Sequence, residues 1–232
     1  LSVIDVETLA PSARIDVTIP STPENVLQGE RLFFSADSSG LAMYQWISCA
    51  SCHLEGGHDG RTWLFENGPR NTPALHMMGE TAPFHWAGER PTLLDFQETI
   101  QELQGGTGLS KDKLQQLADF MATLEVPDSP FDEPDGGREV FEGQGCATCH
   151  AGDAFVDGLQ HDVGSGGGPT ELLGPEFDTP TLHGLWNSAP YYHDGSMPSL
   201  VDVLAPGRLD DPHSIDLSAE ALQLILDYLN AQ

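Results

Sequence analysis

The chain has 232 residues, 39% of them hydrophobic, and carries 36 acidic against 9 basic residues for a formal charge of −27. That length suits one large domain or two small ones with cores of their own. The charge argues against a nucleic-acid partner, because phosphate binding needs clustered Lys and Arg, and no apolar run approaches the ~18 residues of a membrane span.

In chain order, LSVIDVETLAPSARIDVTIP (1–20) has β-branched residues around a central turn and no helical period, so it reads as two short strands. The opening at Leu1, without a charged-then-apolar leader, reads as a processed or fragmentary product. GERLF (29–33) reads as a short helix that leads into SCASCH (48–53). LSKDKLQQLADFMATL (109–124) reads as a helix capped by Ser110, with an apolar stripe through Leu114, Leu117, Ala118 and Met121. After the loop VPDSPFDEPDGG come a second short helix, GREVF (137–141), and GCATCH (145–150). The last element, LSAEALQLILDYLNAQ, repeats the Leu-Ser opening with Ser218 as cap and Leu222, Ile225, Leu226 and Leu229 as its stripe.

The four cysteines fall in two groups, Cys49/Cys52 and Cys146/Cys149, with His53 and His150 directly after each pair. C-x-x-C-H is the attachment signature of c-type haem. In a helical turn, residues i, i+3 and i+4 share one face. Two thiols there bond the porphyrin edge while the histidine binds iron from below. A thioredoxin-type or four-cysteine zinc site has no need of a histidine after each pair. Two covalent haems are therefore expected, and such attachment places the chain in the periplasm or at the cell surface of a prokaryote.

An internal repeat organises the rest. Residues 72–96 align without gaps to 179–203, with ten of 25 positions identical at an offset of 107. The haem motifs are offset by 97, so the second copy holds ten extra residues, and the Gly-rich VGSGGGPTELLG (163–174) is the place for them. The expected fold is mainly α: two cytochrome c-like haem lobes, 21–127 and 128–232, with long Gly/Pro loops, preceded by the β segment 1–20.

The segments ISCASCH, GPRNTPAL, FHWAGERPTL, SPFD, GQGCATCH, HDVGSG and DTPTLHGLWNSAPYYHDGSMPSL together resemble the bacterial dihaem cytochrome c peroxidase/MauG family over roughly 24–232. The opening SVIDVETL resembles the last strands of a YVTN-type β-propeller, which suggests a propeller domain or subunit as partner. The resemblance implies that Trp86 relays electrons between the haems. It also implies an interdomain Ca²⁺ held by the Asn71 side chain and the carbonyls of Ser188 and Pro190, an oxygen-rich set that suits that ion; the plain alternative for Asn71 is a turn cap.

Both sixth iron ligands of the family are missing from their usual places. RTWLFENGPRN has Trp63 and no histidine before GPRN, and VLAPGRL has neither methionine nor tyrosine. For haem 1 the candidates are His85, His76, Met77, Met78 and His58, with a propionate contact as the alternative role of His85 and of the repeat-related His76 and His183. For haem 2 they are His193, Met197 and His213, Met197 being equally a core filler. His161 reads as support for the haem 2 loop. Glu98 and Glu102 are candidates for moving protons at haem 1, or are simply a solvated helix face. Two functions follow: a dihaem electron carrier with both irons six-coordinate, or a peroxide-reducing or MauG-like oxidase with an open haem 1 and electron entry at haem 2. A redox protein with a basic or salt-tolerant docking face is the expected partner.

Overall fold

The computed structural model describes residues 2–14 and 22–232. The first of these form a hairpin of β1 (Ser2–Ile4) and β2 (Pro11–Arg14), paired antiparallel. Its turn is shaped by Asp5, whose Oδ1 accepts from the backbone N–H of Glu7 at 3.0 Å and of Thr8 at 2.8 Å. Residues 3–13 are all exposed. The rest of the expected β segment, residues 1 and 15–20, and its boundary at 20/21 lie outside the described residues.

Two separate apolar cores follow. The first is built by α1 (Glu24–Phe34), α2 (Phe96–Glu102) and α3 (Lys111–Met121) around Phe33, Leu41, Ile100 and Leu117. All four positions of the α3 stripe are buried. Ser110 caps α3 by accepting from the Lys113 N–H at 3.5 Å. Helices α1 and α3 meet at Gly29, where a Cβ would lie 1.9 Å from the Gln116 carbonyl oxygen. Only a residue without a side chain lets the two backbones come this close.

The second core is built by α4 (Gly137–Gly143), α5 (Leu200–Leu204) and α6 (Ala219–Ala231) around Phe141, Leu204, Ile225 and Tyr228. Ser218 caps α6 through the Ala221 N–H at 3.2 Å. Of the expected α6 stripe, Ile225 and Leu229 are buried while Leu222 and Leu226 are half-buried, and Tyr228 takes the remaining inner place. Gly137 does in α4 what Gly29 does in α1, since a Cβ there would sit 2.7 Å from Cβ of Tyr228.

Short hairpins join the two halves. β3 (Thr62–Phe65) pairs with β4 (Gly68–Asn71) across a turn at 66–67, and β5 (Gln160–Asp162) pairs with β6 (Glu176–Asp178) across 163–175. Each hairpin reaches the loop of the opposite half. The Asn71 N–H donates to the His193 carbonyl at 2.6 Å, and the Asp178 N–H donates to the Trp86 carbonyl at 2.8 Å. Likewise Thr62 Oγ1 donates to the Asp194 carbonyl at 3.0 Å, and the Gln160 amide donates to the carbonyl of Ala87. The long 163–175 connection folds back over the first hairpin. There Glu171 accepts from both terminal nitrogens of Arg70, at 2.5 and 2.8 Å, and the Leu172 N–H donates to the Asn67 carbonyl. Among the described residues no helix is long and apolar enough to cross a membrane.

Candidate haem sites

Each C-x-x-C-H forms a tight turn rather than part of a longer helix. Cys52 and His53 donate their N–H groups to the Cys49 carbonyl at 3.2 and 2.9 Å; Cys149 and His150 do the same to Cys146 at 3.3 and 3.0 Å. The motif therefore closes on itself and puts its three functional side chains on one side. None of the cysteines is paired in a disulfide. Burial pushes the Cys49 thiol up to about 11 and raises the other three, the opposite of what a redox-active thiolate shows. Burial also holds His53 and His150 down to about 4, so both rings are neutral and able to bind a metal at neutral pH.

The His53 ring sits at a cavity of about 560 Å³ that also exposes Cys49, Cys52 and Trp86. That volume is of the order of one haem. Of eight buried side-chain polar atoms without a partner among the described residues, five belong to residues lining this cavity: Asn71 Oδ1, His76 Nδ1, Arg90 Nε, Gln104 Oε1 and Asp178 Oδ1. Buried polar groups in a native protein are satisfied. An apolar cavity of this size rimmed by unpaired donors and acceptors fits a large flat ligand with charged edge groups. The residues present thus fit a haem.

His53 Nδ1 lies 3.0 Å from the Pro73 carbonyl, which leaves Nε2 for a metal. The other histidines of this half are engaged differently. His85 has Nδ1 at 2.9 Å from Glu89 Oε1 and Nε2 at 3.0 Å from Thr99 Oγ1. His58 contacts the Asn187 carbonyl through Nε2 and accepts from the Gly60 N–H through Nδ1. Met78 is buried in the first core and lines the cavity. Glu98 and Glu102 both pair with Arg90, at 3.1 and 2.5 Å, and stay largely exposed.

Around the second motif the arrangement is different. His150 Nδ1 lies 3.1 Å from the Phe155 carbonyl, and His213 Nδ1 lies 3.1 Å from Asp211 Oδ1. Their ring centroids are 6.3 Å apart, with planes inclined at 50°. Two imidazoles on opposite sides of one metal, with bonds of about 2 Å, have centroids about 6 Å apart. Rotation about the shared axis leaves the interplanar angle free.

His193 is elsewhere: its ring stacks on Phe177 at 3.9 Å, with Nε2 3.4 Å from Glu171. Met197 exchanges backbone hydrogen bonds with Tyr191, the place that Arg90 holds opposite Phe84 in the first half. His183 bridges the carbonyls of Asp153 and Gln232, and His161 pairs with Asp157 at 2.7 Å.

Trp86 lies between the halves, its Nε1–H donating to the Asn71 carbonyl at 2.8 Å and its ring 6.5 Å from that of His193. The Asn71 amide contacts the Pro190 carbonyl at 2.5 Å while its Oδ1 is unpaired; the Ser188 hydroxyl donates to the Gly184 carbonyl. Sequence reasoning passed over Asp178, whose carboxyl burial pushes up to about 7. The signal was available, because Asp178 stands 107 residues after Asn71, one step beyond the aligned block. Glu89, Thr99 and the Arg70–Glu171 pair were missed as well, and no spacing rule points to them.

A family model described as RoxA-like, cytochrome c-like matches residues 177–210. Hydrazine synthase subunit gamma of Kuenenia stuttgartiensis is 28% identical, over 91% of this chain and 78% of that protein. The methylamine utilization protein MauG of Methylorubrum extorquens is 27% identical, over 80% of this chain and 69% of MauG. Among solved structures, a chain of K. stuttgartiensis hydrazine synthase superposes with a TM-score of 0.76 at 26% identity, covering 92% of this chain and 89% of the other. With two haem-attachment motifs, a haem-sized cavity and these relatives, the chain is a mainly helical dihaem c-type cytochrome that resembles the bacterial cytochrome c peroxidase/MauG family over most of its length.

Proposed function

We propose that the two haems have different duties: haem 2 is a six-coordinate electron-transfer centre, and haem 1 is an open centre where a small molecule such as peroxide reacts. The observation that carries this is the His150–His213 pair, set 6.3 Å apart with each Nδ1 already hydrogen-bonded. Cys146, Cys149, His150 and His213 would hold haem 2; Cys49, Cys52 and His53 would hold haem 1. Bound haem supplies the redox chemistry. This chain's own residues orient the rings through the carbonyls of Pro73 and Phe155 and the carboxylate of Asp211.

For haem 2 this reading prefers His213 over His193, which is stacked on Phe177, and over Met197. For haem 1 it takes none of the candidates as a counterpart of His213: His85 and His58 have both ring nitrogens engaged, Met78 is packed in the first core, and the unpaired His76 Nδ1 at the cavity is assigned to a propionate contact. Trp86, between the halves, is the proposed electron relay. The unpaired Asn71 Oδ1 beside the Pro190 carbonyl supports Ca²⁺ at Asn71, Ser188 and Pro190. The two lobes, 21–127 and 128–232, are read as copies of one unit, since their glycine crossings, capped helices and hairpin contacts match pair by pair. Covalent haem attachment supports a periplasmic or cell-surface location. The exposed β1–β2 hairpin is a suitable edge for a propeller partner, and the acidic surface for a basic redox protein.

EPR and visible spectra of the ferric protein test this. The expected result is one low-spin bis-imidazole signal and one high-spin signal that responds to peroxide. Two low-spin signals with no peroxide response would overturn the reading in favour of a pure electron carrier.

A further inference from the structure

We propose that Glu89, His85 and Thr99 form a proton relay serving the distal side of haem 1, the side opposite His53. This rests on the reading of haem 1 as an open centre and adds the residues that handle the proton there.

All three side chains line the first cavity and touch in sequence. Glu89 Oε1 lies 2.9 Å from His85 Nδ1, and His85 Nε2 lies 3.0 Å from Thr99 Oγ1. The carboxylate sets the direction of every bond. Burial works against its ionisation, but the hydrogen bond from His85 prevails and holds Glu89 below the usual carboxylate range. An ionised Glu89 accepts, so Nδ1 carries the proton. In the neutral ring Nε2 then accepts, so the Thr99 hydroxyl donates to it. That leaves the Thr99 oxygen with lone pairs for a third partner. The order carboxylate, imidazole, hydroxyl is the one that lets a hydroxyl gain basicity through an oriented imidazole.

The position of the chain relative to haem 1 follows from the other half. His85 and Tyr192 are related by the offset of 107, share left-handed backbone angles (φ 65° and 66°), and follow equivalent bridging residues, Phe84 and Tyr191. The Tyr192 ring packs 5.9 Å from that of His213, the residue that faces His150 across the second site. His85 therefore stands on the side of the first site that His213 occupies in the second. Phe96 holds it there edge-on, with centroids 5.5 Å apart. Glu98 and Glu102, the glutamates the sequence offers for this task, are not free for it, because Arg90 holds both.

The step is a proton transfer without net redox change. A weak acid entering the cavity, such as hydrogen peroxide or hydrogen cyanide, gives its proton to the Thr99 oxygen as the Thr99 proton passes to His85 Nε2. The resulting imidazolium pairs with Glu89, and the ligand anion stays in the cavity. Run in reverse, the chain returns the proton to a departing oxygen. Glu89, partly exposed, links the chain to solvent.

Cyanide association with the ferric holoprotein, followed by stopped-flow between pH 5 and 9, tests the relay without any turnover. His85→Phe is expected to slow association about 100-fold, and the near-isosteric Thr99→Val at least about tenfold. Thr99→Ser, which keeps the hydroxyl, is expected to stay within about twofold of the parent. Glu89→Gln is expected to change the shape of the pH profile. Two haems per chain and an unchanged haem 2 spectrum verify that each variant is folded. If the parent binds cyanide but Thr99→Val and His85→Phe bind it as fast, the relay is wrong while the open haem 1 stands. If the parent binds no cyanide at all, the open-centre reading fails and takes the relay with it.

Discussion

The connection from Leu103 to Leu109 and the connection from Ala205 to Leu217 lie between corresponding helices of the two halves, yet the second is nearly twice as long. The first, LQGGTGL, is drawn onto its core. Gly108 donates to the Gly40 carbonyl at 3.0 Å, and a Cβ on Gly106 would meet that oxygen at 2.4 Å. No side chain fits under it. The second has room for a buried hub, Asp211, which accepts from Tyr192 Oη at 2.7 Å, Arg208 Nε at 2.6 Å and the His213 N–H at 2.8 Å. Burial opposes ionisation there, but these donors hold the Asp211 carboxyl far below its ordinary range. The hub fixes the loop so that His213 faces His150. The earlier end of α5, at Leu204 against Glu102 for α2, rather than a difference in the haem motifs, separates the two sites.

The sharpest way to break that contrast is to remove the imidazole. His213→Ala is expected to abolish the low-spin signal of haem 2 and make both sites high-spin, as read by EPR. Asp211→Asn keeps the His213 imidazole but weakens its support, and is expected to give a mixture of spin states at neutral pH. If His213→Ala leaves the low-spin spectrum intact, Met197 or His193 must be the ligand.

Next in size is the helix crossing. Gly29→Ala places a methyl 1.9 Å from a backbone oxygen, with nothing able to move aside, whereas at Gly137 the nearest atoms are side-chain carbons at 2.7 and 2.9 Å. Overpacking of this kind costs about 1–3 kcal/mol and more where backbone must shift, against a helix-propensity gain of about 1 kcal/mol. Gly29→Ala is expected to lose about 3 kcal/mol or more and Gly137→Ala about 1–2 kcal/mol in denaturant titrations. Equal losses would show that the two crossings are equally tight.

Residues 71 and 178 sharpen the comparison at the interface. One is an amide, the other a carboxyl that burial pushes up to about 7. A carboxyl raised in the folded state holds a proton that the unfolded chain has already released above about pH 4. Its stabilising contribution is therefore complete below that pH and is lost as pH rises towards 7. Asp178→Asn should match the parent at pH 4 and exceed it by about 2 kcal/mol at pH 8, where the parent has an ionised buried carboxylate. A pH-independent difference in thermal unfolding would mean that a cation or donor neutralises Asp178 in the holoprotein.

These contrasts were unequally legible in the sequence. The haem motifs and the long helices were, because C-x-x-C-H and a stripe such as Leu114, Leu117, Ala118 and Met121 are local patterns. The hairpins β3–β4 and β5–β6 were not, since strands of three or four residues beside glycine leave no period to read. His213 was legible only as one of three candidates, because the choice depends on how Asp211 folds its loop. Glu89, His85 and Thr99 are four and ten residues apart, and only the packing of α2 against the 84–90 loop brings them together.

The smallest effect concerns the two Leu-Ser openings, which look identical in sequence. Ser218 Oγ lies 3.2 Å from the N–H it caps, while Ser110 Oγ lies at 3.5 Å, the limit for such a bond. A serine cap contributes about 1 kcal/mol when well made, by pairing a donor that the helix itself leaves open. Ser218→Ala is therefore expected to cost about 1 kcal/mol and Ser110→Ala about half as much. The readout should also differ in place. Helix α6 packs on α4 beside the second haem motif and α3 packs on α1 beside the first, so hydrogen exchange should rise in the second half for Ser218→Ala and in the first for Ser110→Ala. Exchange that rises in both halves for either variant would mean that the hairpins couple the two cores into one cooperative unit, and the halves could no longer be treated as independent.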